Sequence, residues 1–279
     1  MKHFFLFFLV VIIFNSESYS QSKIDKAEDS LKESKKSKSR SYKSRYNNSG
    51  SNDDSKNNFL TEVIGEFFVK AFLYSAYSVA IESPFEMKHR GSHAVLTKHP
   101  YKSGNTGNYT YEWNADSEVF TTSISNRLIF ETNRLYGNHL NINTRFLQRV
   151  GLEIDYLQLW EVNPNFGNNA LAIYTALVKY HRVRTERFNA WWGLGASYID
   201  GNVDELGFTY GLGVELFFVK PFSLESNFNQ TLINSNSINK FNALLNYHRK
   251  QYKFSGGYEH LKIGDIGFST FSLGVGVVF

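Results

Sequence analysis

Residues capable of metal, acid–base or nucleophilic chemistry are scattered along this chain rather than set in a motif. Of its 8 histidines, His89, His93 and His99 lie beside Glu86 and Lys88 in a stretch that also holds Pro84 and Gly91. A metal site needs imidazoles that converge with a carboxylate. His89 and His93 have helical spacing, but Gly91 between them and Pro84 before them work against a helix, so no metal centre is expected. Glu131, His139, Asp200, Asp204, His260 and Asp265 fall near one rim of the architecture derived below. A hydrolase needs a nucleophile, a base and an orienting group within hydrogen-bond reach. Its mark would be a Ser or Asp within about 3 Å of one of these histidines. No motif fixes such a meeting, and no catalytic residue is assigned.

Three Gly-x-Gly pairs, Gly193/Gly195, Gly211/Gly213 and Gly274/Gly276, lack the third glycine and the following helix of a nucleotide loop. They read as small positions beside bulky neighbours inside a narrow barrel. With no cysteine, the chain has no disulfide, thiolate metal site or lipidation point. No cofactor is expected.

The elements that carry these residues follow from periodicity. Met1-Lys2-His3 precede an apolar run from Phe4 to Phe14, then small residues at Ser18 and Ser20. This is the pattern of a secretory signal peptide, residues 1–20, cleaved between Ser20 and Gln21. The run is about half the length a membrane-spanning helix requires. Residues 21–58 are rich in Ser, Lys, Asn and Arg. Their composition offers too little to bury to offset ordering entropy, so a disordered linker is predicted. From 59 to 83, Leu60, Ile64, Phe67, Phe68, Ala71 and Phe72 recur at helical spacing, between a plausible Asn58 cap and Pro84. This predicts an amphipathic helix, followed by an extended lead-in over 84–116.

After residue 117 the period changes to two. Phe271, Leu273, Val275, Val277 and Phe279 share one face, while Thr270, Ser272, Gly274 and Gly276 share the other. Leu206, Phe208, Tyr210, Leu212, Val214 and Leu216 oppose Gly207, Thr209, Gly211, Gly213 and Glu215 in the same way. Ten such segments are legible: 118–132, 137–147, 150–162, 169–181, 186–199, 205–219, 221–232, 237–248, 251–262 and 266–279. Most exceed the ~9–11 residues that cross a bilayer as a tilted strand, whereas soluble strands usually run about 5–6. Tight basic turns, such as Gln148-Arg149 and Arg249-Lys250, alternate with Asn/Gly/Asp-rich loops such as Asn163–Asn168 and Asp200–Asp204. The mean hydropathy of −0.34 excludes a helical membrane protein. It does not exclude a barrel, in which lipid-facing residues alternate with polar lumen residues. The net charge of +4 carries no nucleic-acid signal.

The signal peptide, the Gly-rich alternating strands and the terminal "FSLGVGVVF" resemble the outer-membrane β-barrel proteins, particularly the small kind with 8 to 12 strands. The resemblance covers residues 117–279. It implies an all-β, antiparallel, up-and-down transmembrane barrel of about 10 strands (8 or 12 as alternatives), located in the outer membrane and in contact with its lipid. It also implies that Phe271, Leu273, Val275, Val277 and Phe279 form an assembly signal read by the barrel-assembly machinery. It says nothing of activity. A non-enzymatic structural, anchoring or interaction role fits the sequence. A rim hydrolase of lipid or peptide and a narrow channel are the alternatives.

The mature protein is expected to begin at Gln21 and to fractionate with the outer membrane. N-terminal sequencing of the membrane-extracted protein checks this. Retention of Met1, or recovery from the soluble periplasm, would contradict it.

Overall fold

The structure, a computed structural model, describes residues 22–32, 93–102, 104–146, 148–163, 167–233 and 236–279. The signal peptide, the cleavage pair Ser20 and Gln21, and the predicted helix over 59–83 lie outside the described residues.

Ten strands form the body: β4 (Phe120–Phe130), β5 (Leu135–Phe146), β6 (Val150–Asn163), β7 (Gly167–Arg184), β8 (Phe188–Asp200), β9 (Glu205–Val219), β10 (Phe222–Ile233), β11 (Asn236–Arg249), β12 (Tyr252–Ile263) and β13 (Ile266–Val278). Each pairs antiparallel with its sequence neighbour, and β13 pairs with β4 to close the barrel. The last residue completes the seam. Phe279 donates its N–H to Thr122 O at 2.9 Å, and Thr122 N–H donates to Phe279 O at 2.7 Å. Closure leaves no strand edge open, which a lipid solvent requires.

Polarity is the reverse of a soluble protein. Phe271, Leu273 and Val275 are 54, 54 and 57% exposed on the outside, whereas inward Thr209, Asn246 and Ser272 are 0% exposed. Two aromatic girdles ring the outer wall. One lies toward the barrel termini, where Tyr180–Trp192 and Phe222–Tyr247 ring centroids are 5.8 and 5.5 Å apart. The other lies toward the opposite, loop end, where Tyr136–Trp160 and Tyr156–Tyr174 are 5.8 and 4.9 Å apart. Amphipathic rings in two bands mark the two faces of a bilayer. The glycine reading is visible inside the wall. A side chain at Gly213 would collide with Trp191, and one at Gly274 with Arg127.

The strands coincide with the segments read from alternation. The largest offset is three residues, at the end of β7 (Arg184 against 181). The barrel proper begins at Phe120 rather than 117, because β3 (Ser117–Glu118) joins β1 (Val95–Thr97) and β2 (Tyr109–Thr110) in a separate small sheet, order β2-β1-β3. That sheet is what the lead-in segment forms over its described part. The Asn-rich loops are also shorter than their composition suggests. Asn163, Asn229 and Asn236 continue the ladders, since a strand end gains paired backbone groups whatever its side chains.

Val275→Arg places a charge near mid-barrel on the lipid face and should cost about 2–4 kcal/mol. The heat-modifiable band on gels should then be lost both in cells and in detergent refolding. Normal folding of that variant would mean the wrong face has been assigned to lipid.

Candidate functional site

The loop-end third of the barrel departs from simple alternation. Ile129, Leu157, Leu159, Leu171, Ile173 and Ile263 all face inward and are at most 4% exposed. With apolar outward neighbours such as Leu128, Tyr156 and Leu232, these strand ends are apolar on both faces, the pattern of a sheet buried on both sides. The covering element is α1 (Lys23–Lys32). Ile24, Ala27, Glu28 and Leu31 recur at i, i+3, i+4 and i+7 and are all buried, and Ile24, Ala27 and Leu31 join the apolar cluster of the loop-end wall.

This corrects the expectation of a disordered linker for residues 22–32 alone; the rest of 21–58 and residues 84–92 lie outside the described residues. Residues 22–32 form and dock a helix. The Ser/Lys-rich average hides one amphipathic repeat, and docking supplies stability that an isolated ten-residue helix lacks. Burying Ile24 and Leu31 contributes roughly 1.5–3 kcal/mol each.

Polar wall residues hold the helix in place. The Glu161 carboxylate accepts from Ser22 Oγ at 2.7 Å, Lys23 N at 3.0 Å and Ile24 N at 2.9 Å. The wall thus supplies the anionic partner that a helix N-terminus favours. Ser22 Oγ also accepts from Asp25 N at 3.3 Å, in the position of an N-cap. Lys23 Nζ pairs with Glu131 at 2.6 Å. Asn169 donates to Asp25 at 2.8 Å, and Asn236 donates to the Ser30 carbonyl at 2.7 Å. Glu28 accepts from Asn202 N at 2.8 Å and Asn202 Nδ2 at 2.6 Å. Gly201 and Gly264 leave the room that Glu28 and Ser30 occupy. Burial pushes the Glu28 carboxyl above its ordinary range, against the Asn202 hydrogen bonds. Asp25 adds to the rise and Lys32 opposes it.

Beneath the helix, side chains bridge the lumen. Arg127 Nε donates to Glu259 at 2.6 Å, Glu259 meets His139 Nδ1 at 2.5 Å, and His139 Nε2 meets Asp155. Lys240 projects from β11 to Asp155 Oδ1 at 2.5 Å and Thr175 Oγ1 at 2.8 Å, on β6 and β7 across the barrel. Lower down, Lys179 pairs with Glu153 and lies 3.7 Å from the Trp191 ring centroid. Arg145 on β5 faces Glu215 on β9 at 3.6 Å.

At the terminus end the small sheet closes the lumen. Asn108 donates to Glu215 at 2.5 Å, Gly107 N to Glu186 O at 2.6 Å, and Tyr109 OH to Gln148 O at 3.2 Å. Tyr101 OH donates to Phe222 O at 2.5 Å, and its ring packs edge-on to Phe217, centroids 5.7 Å apart. Burial pushes the Tyr101 hydroxyl up to about 12, with Glu215 adding to the rise, and pushes the Tyr109 hydroxyl up as well.

The residues singled out from sequence are dispersed. His139 is not at the rim. It faces inward, 4% exposed, and serves the lumen network. Glu131 holds Lys23 and accepts from Ser269 N at 2.9 Å. Asp204 accepts from Tyr198 OH at 3.4 Å. His260 meets Ser269, a residue not singled out, with Nδ1 3.0 Å from Oγ, and Tyr258 OH lies 3.1 Å from the same Oγ. This meets the distance criterion for a nucleophile and base. Among the described residues no carboxylate orients the imidazole, however, and the arrangement parallels the girdle pairs Tyr156–Gln158 and Tyr210–Gln230. His89 lies outside the described residues. Among the described residues, no three His, Asp or Glu side chains converge as metal ligands would. Phe271, Leu273, Val275, Val277 and Phe279 share the outward face of the final strand and its last residue.

A closed ten-strand barrel with a lipid-type exterior, two aromatic girdles and a side-chain-filled lumen defines a transmembrane β-barrel of the outer-membrane type. No protein-family model matches the chain, and no curated protein matches it. Among solved structures it is similar to the KdgM porin, at 15% identity, covering 56% of this chain and 99% of that one, with a TM-score of 0.37. It is also similar to Ail of Yersinia pestis (15%, 57% and 99%, TM-score 0.33) and to OprG of Pseudomonas aeruginosa (12%, 57% and 95%, TM-score 0.32). Likenesses this distant carry no argument about role.

Glu161→Ala removes three acceptor contacts and should weaken helix docking by about 1–2 kcal/mol, a five- to thirty-fold loss of amide protection in α1. Because the Glu28 carboxyl is raised, its contribution to docking is full below the ordinary carboxylate range and fades as pH rises through the raised value. Hydrogen exchange, corrected for intrinsic rates, should show α1 better protected at pH 5 than at pH 8, with Glu28→Gln flattening the difference. Equal protection at both pH values in the native chain would contradict this.

Proposed function

We propose that this protein is a sealed outer-membrane barrel with a structural, anchoring or interaction role rather than a conduit. The observation that carries the reading is Lys240, which crosses the lumen from β11 to Asp155 and Thr175 on the facing wall. Above it α1 covers the mouth, and below it the small sheet occupies the other end. An even strand number puts both barrel termini on one side, and in this fold class that side is periplasmic. The loop end and α1 then lie at the cell surface. By its resemblance to the outer-membrane barrels, the apolar face from Phe271 to Phe279 is the signal for the barrel-assembly machinery. No cofactor enters this reading.

In planar bilayers the purified protein should show no steady single-channel conductance, and deleting residues 22–32 should not create one while Lys240 and Arg145 still bridge the walls. Steady conductance in the native chain would overturn the sealed-barrel reading.

One observation favours a second reading, a hydrolase of outer-leaflet lipid esters. His260 lies 3.0 Å from Ser269 Oγ at the loop-side girdle. A fluorophosphonate probe in mixed micelles tests it. Labelling that maps to Ser269 and vanishes in His260→Asn would establish the dyad as reactive. Absence of labelling on folded protein would remove the hydrolase.

A further inference from the structure

Among the described residues, the outer wall carries an amide at mid-bilayer depth, Asn126, that lipid cannot satisfy. Asn126 on β4 points outward and is exposed, between Ile124 and Leu128 along its strand. Its cross-strand partners are Val275 and Leu140. Val275 lies midway between the girdle residues Phe271 and Phe279, so Asn126 sits near mid-bilayer. Asn138 on β5, paired with Leu128 and with the girdle residue Gln158, lies one diagonal step toward the loop end and also faces outward. Among the described residues, neither side chain has a hydrogen-bond partner. The depth of Asn126 matters, because a short Asn side chain cannot reach the interface as Lys or Arg can, and hydrocarbon offers neither donor nor acceptor. Beside Asn126 the wall is recessed into a groove of about 670 Å³, lined by Leu128, Phe254, Gly256, Leu273 and Val275.

We propose that the wall formed by β4, β5 and the adjoining groove is the contact face of a homodimer, in which Asn126 and Asn138 pair with their own counterparts. The chemistry selects a second copy of this chain. A two-fold axis along the membrane normal keeps every residue at its own depth, and a residue close to that axis meets its own counterpart across an isologous interface. An amide carries both donor and acceptor and is therefore its own complement, and amide side chains hydrogen-bond between transmembrane helices in the same way. An acyl chain would fill the groove yet leave both amides unpaired. The groove over Gly256 gives the partner's apolar side chains a place to enter. The inference rests on the transmembrane reading of the barrel. Heat-modifiable migration of the native chain tests that reading separately.

The chain has no cysteine, so Asn126→Cys carries the only thiol. Reconstituted in lipid bilayers at low protein-to-lipid ratio and mildly oxidised, it should give a covalent dimer in high yield. Leu212→Cys, on the outward face of β9 across the barrel and 54% exposed, should stay monomeric. Asn126→Leu/Asn138→Leu should remain heat-modifiable but lose the dimer seen for the native chain by amine cross-linking. Equal yields from the two cysteine variants, a monomeric native chain in bilayers, or an undiminished dimer in the double-leucine variant would each overturn the proposal.

Discussion

Closure of β13 onto β4 is the constraint on which the rest of the structure depends. Once the first and last strands pair, down to the reciprocal bonds between Thr122 and Phe279, the backbone ladders run from strand to strand around the whole barrel. The outside is then free to be apolar. The same closure creates an inside, and that inside has to be filled. A barrel of ten strands is slightly wider than one that wall side chains alone fill at eight strands.

The chain fills it in three levels of different chemistry. The loop end is apolar and takes α1, the middle is ionic, and the terminus end takes the small sheet with Tyr101 and Tyr109. The ionic level is effective only because it is complete. Removing one partner of a buried pair costs about 3–5 kcal/mol by leaving the other charge uncompensated. Asp155 illustrates this, contacted by His139 on one side and Lys240 on the other. Such a network rigidifies the wall at the same time as it blocks the lumen, which links the packing of the barrel to the role proposed for it.

The wall was legible in the sequence because alternation is a local property. Leu206 to Leu216 and Phe271 to Phe279 declare their face without reference to any partner. What occupies the lumen was not legible, because it depends on which inward residues meet across the barrel. Nothing near His139 in sequence points to Glu259. The docked helix was missed for a different reason. Averaged over 21–58, the linker looks unable to bury anything, yet Ile24, Ala27, Glu28 and Leu31 form a short helical stripe. A second signal was present at the other side of the contact. Leu128-Ile129-Phe130, Leu157 and Leu159 between Tyr156 and Trp160, and Leu232-Ile233 break the alternation toward apolar on both faces. Inward apolar residues at one end of a barrel require a covering element. The meeting of His260 with Ser269 was half legible: the histidine was placed at the rim, but its neighbour on β13 follows from register.

The central claim is that the chain's own N-terminal helix covers the loop-end mouth of a filled barrel. Paired spin labels in bilayers test it most directly. Asp29→Cys, on the exposed side of α1, is combined in turn with Asp265→Cys at the loop end and with Lys250→Cys at the terminus end. Dipolar distance measurements should give a short, narrow distribution for the first pair and a long one, set by the height of the wall, for the second. A broad distribution for both pairs, or a short distance to Lys250, would contradict the account.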